Sequence, residues 1–183
     1  MDKIKIQDLK EIFKLISKKM DDNRDYLVEL DSKAGDGDLG ISMSSGFRAV
    51  LNSPAMEQDN FKKFLMEAGM AINEASPSSL GTIMFMGLLG GAKKIADFNE
   101  LGADELGLFF KGWADAIMTK TGSKPGEKTI LDSVIPGAEV LLESEDLQNG
   151  IKAAYNAAKA GMDSTKEMKA VHGRAAYYQE KSI

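Results

Sequence analysis

Leu30-Asp31-Ser32-Lys33-Ala34-Gly35-Asp36-Gly37-Asp38-Leu39-Gly40 decides between two architectures. From Gly35 to Gly40 it satisfies G-x-G-x-x-G, the dinucleotide fingerprint, which has meaning only between a strand and a helix of a βαβ unit. Tyr26 to Leu30 is the best strand candidate of the chain, and it is short. Downstream of Gly40 one helical pattern succeeds another. Acids at two of the three x positions, Asp36 and Asp38, would also repel a pyrophosphate unless a metal intervened. The stretch therefore reads as a loop between helices, and the chain as all-α.

The loop has chemistry of its own. Asp31, Asp36 and Asp38 fall within eight residues, interleaved with Gly35, Gly37 and Gly40. Carboxylates this close repel one another unless a cation neutralises them. A hard divalent cation with oxygen ligands, its shell completed by phosphate, suits such a set. Glycine permits the tight turn and close ligand approach. The helix expected after Gly40 would offer free N–H groups to an anion. The local reading is a magnesium–phosphate site, against the plainer reading of a solvated Asp/Gly turn. An EF-hand fails on spacing: the twelfth position is Ser42 counted from Asp31 and Phe47 counted from Asp36, never glutamate.

Composition narrows the rest. The chain has 183 residues, 43% hydrophobic and 28% charged, which suits one globular domain over 1–183. A net charge of −5 argues against non-specific nucleic-acid binding. There is no cysteine and a single histidine, His172, so thiolate sites and His-rich zinc sites are excluded. Beside Gly173, His172 reads as a surface residue. The first ten residues hold no signal-like apolar run, and the longest weakly polar stretch, 80–92, is too short to span a bilayer. A cytoplasmic protein is expected.

Outward from the loop, Ile6, Leu9, Ile12, Phe13, Ile16 and Met20 recur at steps of three and four, a helix. A short second helix over 26–30, with Asp31 at its C-terminal end, is followed by helices expected over 41–51, 61–72, 80–95, 104–118, 129–143 and from 146 onward. The 80–95 helix is apolar nearly all round and so reads as buried, its glycines tolerated where another backbone packs closely. Pro136 should kink the seventh helix. The breaks at 73–79 and 121–128 are serine-, proline- and glycine-bearing loops. The second of these misses the P-loop pattern, because Glu127 occupies the required glycine and no strand precedes it. The expectation is an all-helical bundle or barrel of about eight helices, with its chemistry in three interhelical loops at one end.

Four ordered motifs carry a resemblance over essentially the whole chain: YLVELDSKAGDGDLG (26–40), ASPSSLGT (75–82), KPGEKTILD (124–132) and HGRAAYYQEKSI (172–183). Together they resemble the nucleotide-binding L subunit of dihydroxyacetone kinase. The resemblance implies an eight-helix antiparallel barrel or bundle, with Mg2+ and ADP or ATP as cofactors in loops at one end. It places Asp31, Asp36 and Asp38 on magnesium, Leu39, Gly40 and Ser42 beside the phosphates, Ser76 and Thr82 on phosphate from the second loop, Gly122 and Ile130 at the adenine, and Arg174 approaching from the tail. It implies a partner K subunit that holds dihydroxyacetone, and either ATP or a phosphotransferase-system subunit as phosphoryl donor.

Departures mark a divergent branch. Leu39 stands where the family has histidine and Ser42 where it has asparagine. Pro77-Ser78-Ser79 replaces Gly-Pro-Leu, and Gln179 replaces a glycine. The family pattern continues beyond the equivalent of Ile183, so a further C-terminal segment is expected. Two functions are open: a phosphotransfer subunit acting on dihydroxyacetone or a related keto-sugar, or a non-catalytic regulatory module of the same fold that binds a partner subunit or regulator.

Overall fold

The computed structural model describes the backbone of residues 3–182 and side chains through Tyr178; the Gln179 substitution and the end at Ile183 lie outside the described side chains. Eight α-helices succeed one another: α1 (Ile6–Asp22), α2 (Arg24–Asp31), α3 (Leu39–Leu51), α4 (Phe61–Ala75), α5 (Ser79–Lys94), α6 (Ala103–Thr121), α7 (Leu131–Leu142) and α8 (Leu147–Ser164). Short 3-10 turns occupy Pro54–Glu57, Thr165–Glu167 and Arg174–Ser182. Among the described residues the only β-type pairing is a bridge between Ile4 and Leu101. The 26–30 stretch lies inside α2 and is helical. No helix among the described residues is long and apolar enough to cross a membrane.

The helix starts are set by side chains. Asn60 accepts from Lys63 N–H at 3.0 Å, Ser78 from Gly81 N–H at 3.1 Å, and Asp146 from Asn149 N–H at 2.7 Å, each satisfying an otherwise orphaned donor. From α3 onward each helix packs on the next, and α1 and α2 both pack on α3. With short connections this gives antiparallel neighbours. The carboxyl ends of α2, α4, α6 and α8 therefore share one end of the molecule with the amino ends of α3, α5 and α7. The acidic loop, the serine loop and the third loop all lie at that end.

The core is aromatic on one side. Phe13 of α1 meets Phe64 of α4 edge-on, with centroids 4.9 Å apart, and lies 6.1 Å from Phe47 of α3. Phe61, Phe64, Leu65 and Ile72 of α4 are fully buried. On the other side Trp113, Ile117 and Leu131 join α6 to α7.

Close backbone packing explains the glycines of α5. A Cβ at Gly90 would run into the Gly112 carbonyl and Ala116, and one at Gly87 into the Trp113 indole. The burial expected for α5 needs correction, however. Its buried residues are Gly81, Gly87, Leu88, Gly91 and Ala92. Ile83, Met84, Phe85, Met86 and Leu89 are only half-buried. The glycine stripe is the face that packs, so the larger side chains spread to its flanks. Pro136 sits inside α7 as expected. It cannot donate to the Asp132 carbonyl. Gly161 of α8 lies against that carbonyl and against the proline ring, where a Cβ would not fit.

Candidate functional site

The acidic loop is wrapped around Asp31. Ser32 closes α2 by donating both N–H and hydroxyl to the Val28 carbonyl, at 3.0 and 2.7 Å. Ala34 and Gly35 then turn their N–H groups back onto the Asp31 carbonyl, at 3.1 and 2.6 Å. Gly37 has φ +74°, where glycine is favoured. Gly40 backs directly on the Arg24 carbonyl, which fixes the start of α3 against the start of α2.

This path brings one carboxylate oxygen each from Asp31, Asp36 and Asp38 within 4.8 Å of one another. Asp31 is half-buried and the other two are exposed. Asp31 Oδ2 is buried with no hydrogen-bond partner. A buried carboxylate oxygen without a donor is costly. Asp38 precedes α3, yet its carboxylate caps none of the helix N–H groups and stays free for another ligand. Three hard carboxylate donors, with an orphaned oxygen on the Asp31 carboxylate, fit a divalent cation of the magnesium or calcium type. The Arg174 guanidinium reaches this cluster, with Nη2 2.6 Å from Asp36 Oδ2.

At the start of α3, Leu39 is half-buried and packs against the core. Ser42 is half-buried, and its N–H bonds the Asp38 carbonyl at 2.8 Å. In the second loop, Ser76 is buried, with its hydroxyl 3.2 Å from that of Ser78. Thr82 is exposed one turn into α5, its hydroxyl within reach of the Ser78 carbonyl at 3.1 Å and Asn73 Oδ1 at 3.3 Å.

The third loop is held by a residue to which sequence reasoning assigned no role. Asp132 is buried and accepts N–H bonds from Gly126 at 2.5 Å and Thr129 at 2.7 Å. The signal was there, as an acid just inside a helix start that a glycine turn precedes. Gly122 ends α6 with φ +73°, and Ile130 opens α7 half-buried beside the Trp113 cluster. Lys128 adopts φ +58°, a left-handed backbone that non-glycine residues rarely take and that recurs at functional sites.

The tail reaches both loops. Val171 N–H donates to the Glu127 carbonyl at 3.3 Å, and His172 Nε2 lies 2.6 Å from Glu127 Oε2. His172 is exposed, as expected, but tied. Its hydrogen bond, and then that from the Lys124 N–H, holds the Glu127 carboxyl below the usual glutamate range. A cleft of about 470 Å³ lies between Ala34 and Gly35 on one side and Arg174, Tyr177 and Tyr178 on the other. Of the expected site residues, Asp31, Asp36, Asp38 and Arg174 are thus brought together. Ser76, Thr82, Gly122 and Ile130 stand on the neighbouring loops of the same end.

Residues 33–183 match the DAK2 domain family. The chain is 30% identical over 165 residues to the ADP-binding subunit DhaL of the PEP-dependent dihydroxyacetone kinase of Escherichia coli (strain K12), covering 87% of this chain and 78% of that one. It is 32% identical over 167 residues to the corresponding subunit of PEP-dependent dihydroxyacetone kinase 2 of Listeria innocua, covering 87% and 77%. Against L-erythrulose 1-kinase of Mycolicibacterium smegmatis it is 31% identical over 169 residues, which is 88% of this chain but 29% of that longer protein. Among solved structures, the dihydroxyacetone kinase from C. freundii in complex with AMP-PNP and Mg2+ matches with a TM-score of 0.71 at 24% identity, over 87% of this chain and 29% of that one. That likeness establishes a shared fold.

Proposed function

Because the chain belongs to the DAK2 domain family, we propose that it is the nucleotide-binding subunit of a kinase for dihydroxyacetone or a related keto-sugar, one domain over 1–183 working in the cytoplasm. One observation carries the reading: three carboxylates converge at the mouth of a helix start, and Asp31 Oδ2 is buried without a partner. Its similarity to ADP-binding subunits and to a keto-sugar kinase supports it.

In this reading Asp31, Asp36 and Asp38 hold Mg2+ beside the phosphates of ADP or ATP. The ion, when bound, neutralises phosphate charge in a reaction whose catalysis is mostly positioning and electrostatics. The chain's own groups do the positioning. The first N–H groups of α3, at Leu39 and Gly40, face phosphate oxygens, with Ser42 alongside. Ser76 and Thr82 approach from the second loop, Gly122 and Ile130 border the base, and Arg174 adds a guanidinium from the tail. The acceptor hydroxyl belongs to a keto-sugar held on a partner K-type subunit, and the donor is ATP or a phosphotransferase-system subunit that recharges bound ADP.

The test is calorimetric titration of Mg-ADP into the wild type, Asp36→Ala and Asp38→Ala. Wild-type binding that falls at least tenfold in both variants supports the reading; equal binding in all three refutes the site.

A second reading is a regulatory module of the same fold that binds a partner subunit without transferring phosphate. Leu39 favours it, since a half-buried apolar side chain stands where the resemblance expects a histidine. Mixing the chain with a K-type subunit, nucleotide and dihydroxyacetone separates the two: sugar phosphate excludes the module, and complex formation without turnover supports it.

A further inference from the structure

The segment 171–178 crosses the site end and is fastened at two points. Toward the third loop, His172 Nε2 meets Glu127 Oε2 at 2.6 Å, and Val171 N–H reaches the Glu127 carbonyl at 3.3 Å. Toward the first loop, Arg174 Nη2 meets Asp36 Oδ2 at 2.6 Å. Between the two anchors Gly173 turns with φ +68°. The turn lets neighbouring side chains serve different loops.

The third-loop anchor is built to stay in place. The Glu127 carboxylate also accepts the Lys124 N–H at 2.7 Å. The loop that carries it is pinned from beneath by buried Asp132, through the N–H groups of Gly126 and Thr129. Rigidity therefore runs from Asp132 through the loop to Glu127 and on to His172. The Arg174 side chain, by contrast, is 65% exposed and long. An arginine this free loses rotamer entropy on being fixed, and exposed ion pairs add little by themselves. Without His172, the connection of this segment to Glu127 is one long backbone bond.

We propose that His172 is a positioning residue for Mg-nucleotide binding: through Glu127 it pins the 171–178 segment to the third loop and so holds Arg174 over the acidic loop. The proposal rests on the nucleotide reading given above. Glu127 can only accept, so Nε2 carries the proton in this contact. The cleft bounded by Ala34, Gly35, Arg174, Tyr177 and Tyr178 is the space that this fastening shapes. His172 touches neither nucleotide nor metal in this arrangement; it acts through Glu127 and through the turn at Gly173.

The test is calorimetry of the full chain with Mg-ADP for the wild type, His172→Ala, His172→Lys, Glu127→Ala, Arg174→Ala and the double variant His172→Ala/Arg174→Ala, with thermal melts as a folding control. His172→Ala should weaken binding about tenfold, the scale of one charge-assisted hydrogen bond. His172→Lys, which restores an N–H donor facing Glu127, should stay within about threefold of wild type. Arg174→Ala should cost less in the His172→Ala background than alone, because there the guanidinium is already unheld. Wild-type affinity in His172→Ala, a lysine variant as weak as the alanine one, or strict additivity of the double variant overturns the positioning role while leaving the nucleotide reading standing. A wild type that does not bind Mg-ADP overturns both. If His172→Ala fails to fold, the lysine and Glu127→Ala variants decide, since undiminished binding in Glu127→Ala is equally fatal.

Discussion

Gly35 has no room for a side chain, because a Cβ there would meet the Asp31 carboxylate itself. The glycine is thus part of the candidate cation site, leaving open the volume into which Asp31 points. Gly35→Ala should weaken Mg2+ binding at least tenfold while leaving the helical circular dichroism of the chain unchanged; unaltered Mg2+ titrations would show that the glycine serves only the turn. Asp132 is the opposite case, a buried carboxylate spent on folding the loop. Asp132→Ala leaves two N–H groups unpaired and should cost about 2–4 kcal/mol in urea unfolding. The acidic triad was legible in the sequence because its members lie within eight residues and local spacing suffices. The Glu127–His172 contact was not, since it joins residues 45 apart and nothing local marks either as a partner. Asp132 lay between the two cases, with the right type and place but no reading to say which N–H groups it would meet.

At the scale of the element, α5 shows what periodicity misses. Its apolar residues run nearly all round, which reads as a buried helix. The face that packs is instead the glycine stripe, where backbones of α5 and α6 meet at Gly90 and Gly112. A hydrophobic pattern scores side chains and is blind to a buried face that has none. Gly90→Ala should therefore destabilise the fold by about 1–3 kcal/mol in chemical denaturation, although alanine is the better helix former by about 1 kcal/mol. A variant as stable as wild type would mean that α5 can shift away from α6 at no cost. The helix starts, by contrast, were readable: Asn60, Ser78 and Asp146 all precede apolar runs and all cap.

At the scale of the whole molecule, the antiparallel order is what gathers three loops separated in sequence at one end. The count of eight helices and the shared end came from spacing and short connections; the tail crossing over the site did not, since it depends on contacts that close only in three dimensions. Charge also acts at this scale. The Lys159 and Lys166 ammonium groups lower Asp163 to about 2. The Ser44 hydroxyl and then Arg48 lower Asp21, and His172 with the Lys124 N–H lowers Glu127. Each carboxyl sits below its value in the unfolded chain, so each stabilises the fold above the ordinary carboxylate range and stops doing so as pH falls through its native value. The melting midpoint should hold near neutral pH and fall steadily from about pH 5 to about pH 2. Because these groups are exposed, 1 M salt should flatten the fall. A midpoint unchanged down to pH 3 at low salt would contradict this assignment.

All three scales meet in one claim, that Asp31, Asp36 and Asp38 hold a divalent cation against nucleotide phosphates. The most direct test uses Mn2+ in place of Mg2+, titrated in the presence of ADP and followed by electron paramagnetic resonance, for the wild type and Asp31→Asn. Tight, ADP-dependent Mn2+ binding is expected in the wild type, with a loss of at least tenfold in the variant, whose helical content stays intact. Mn2+ binding that ignores ADP, or that survives Asp31→Asn undiminished, would contradict the claim.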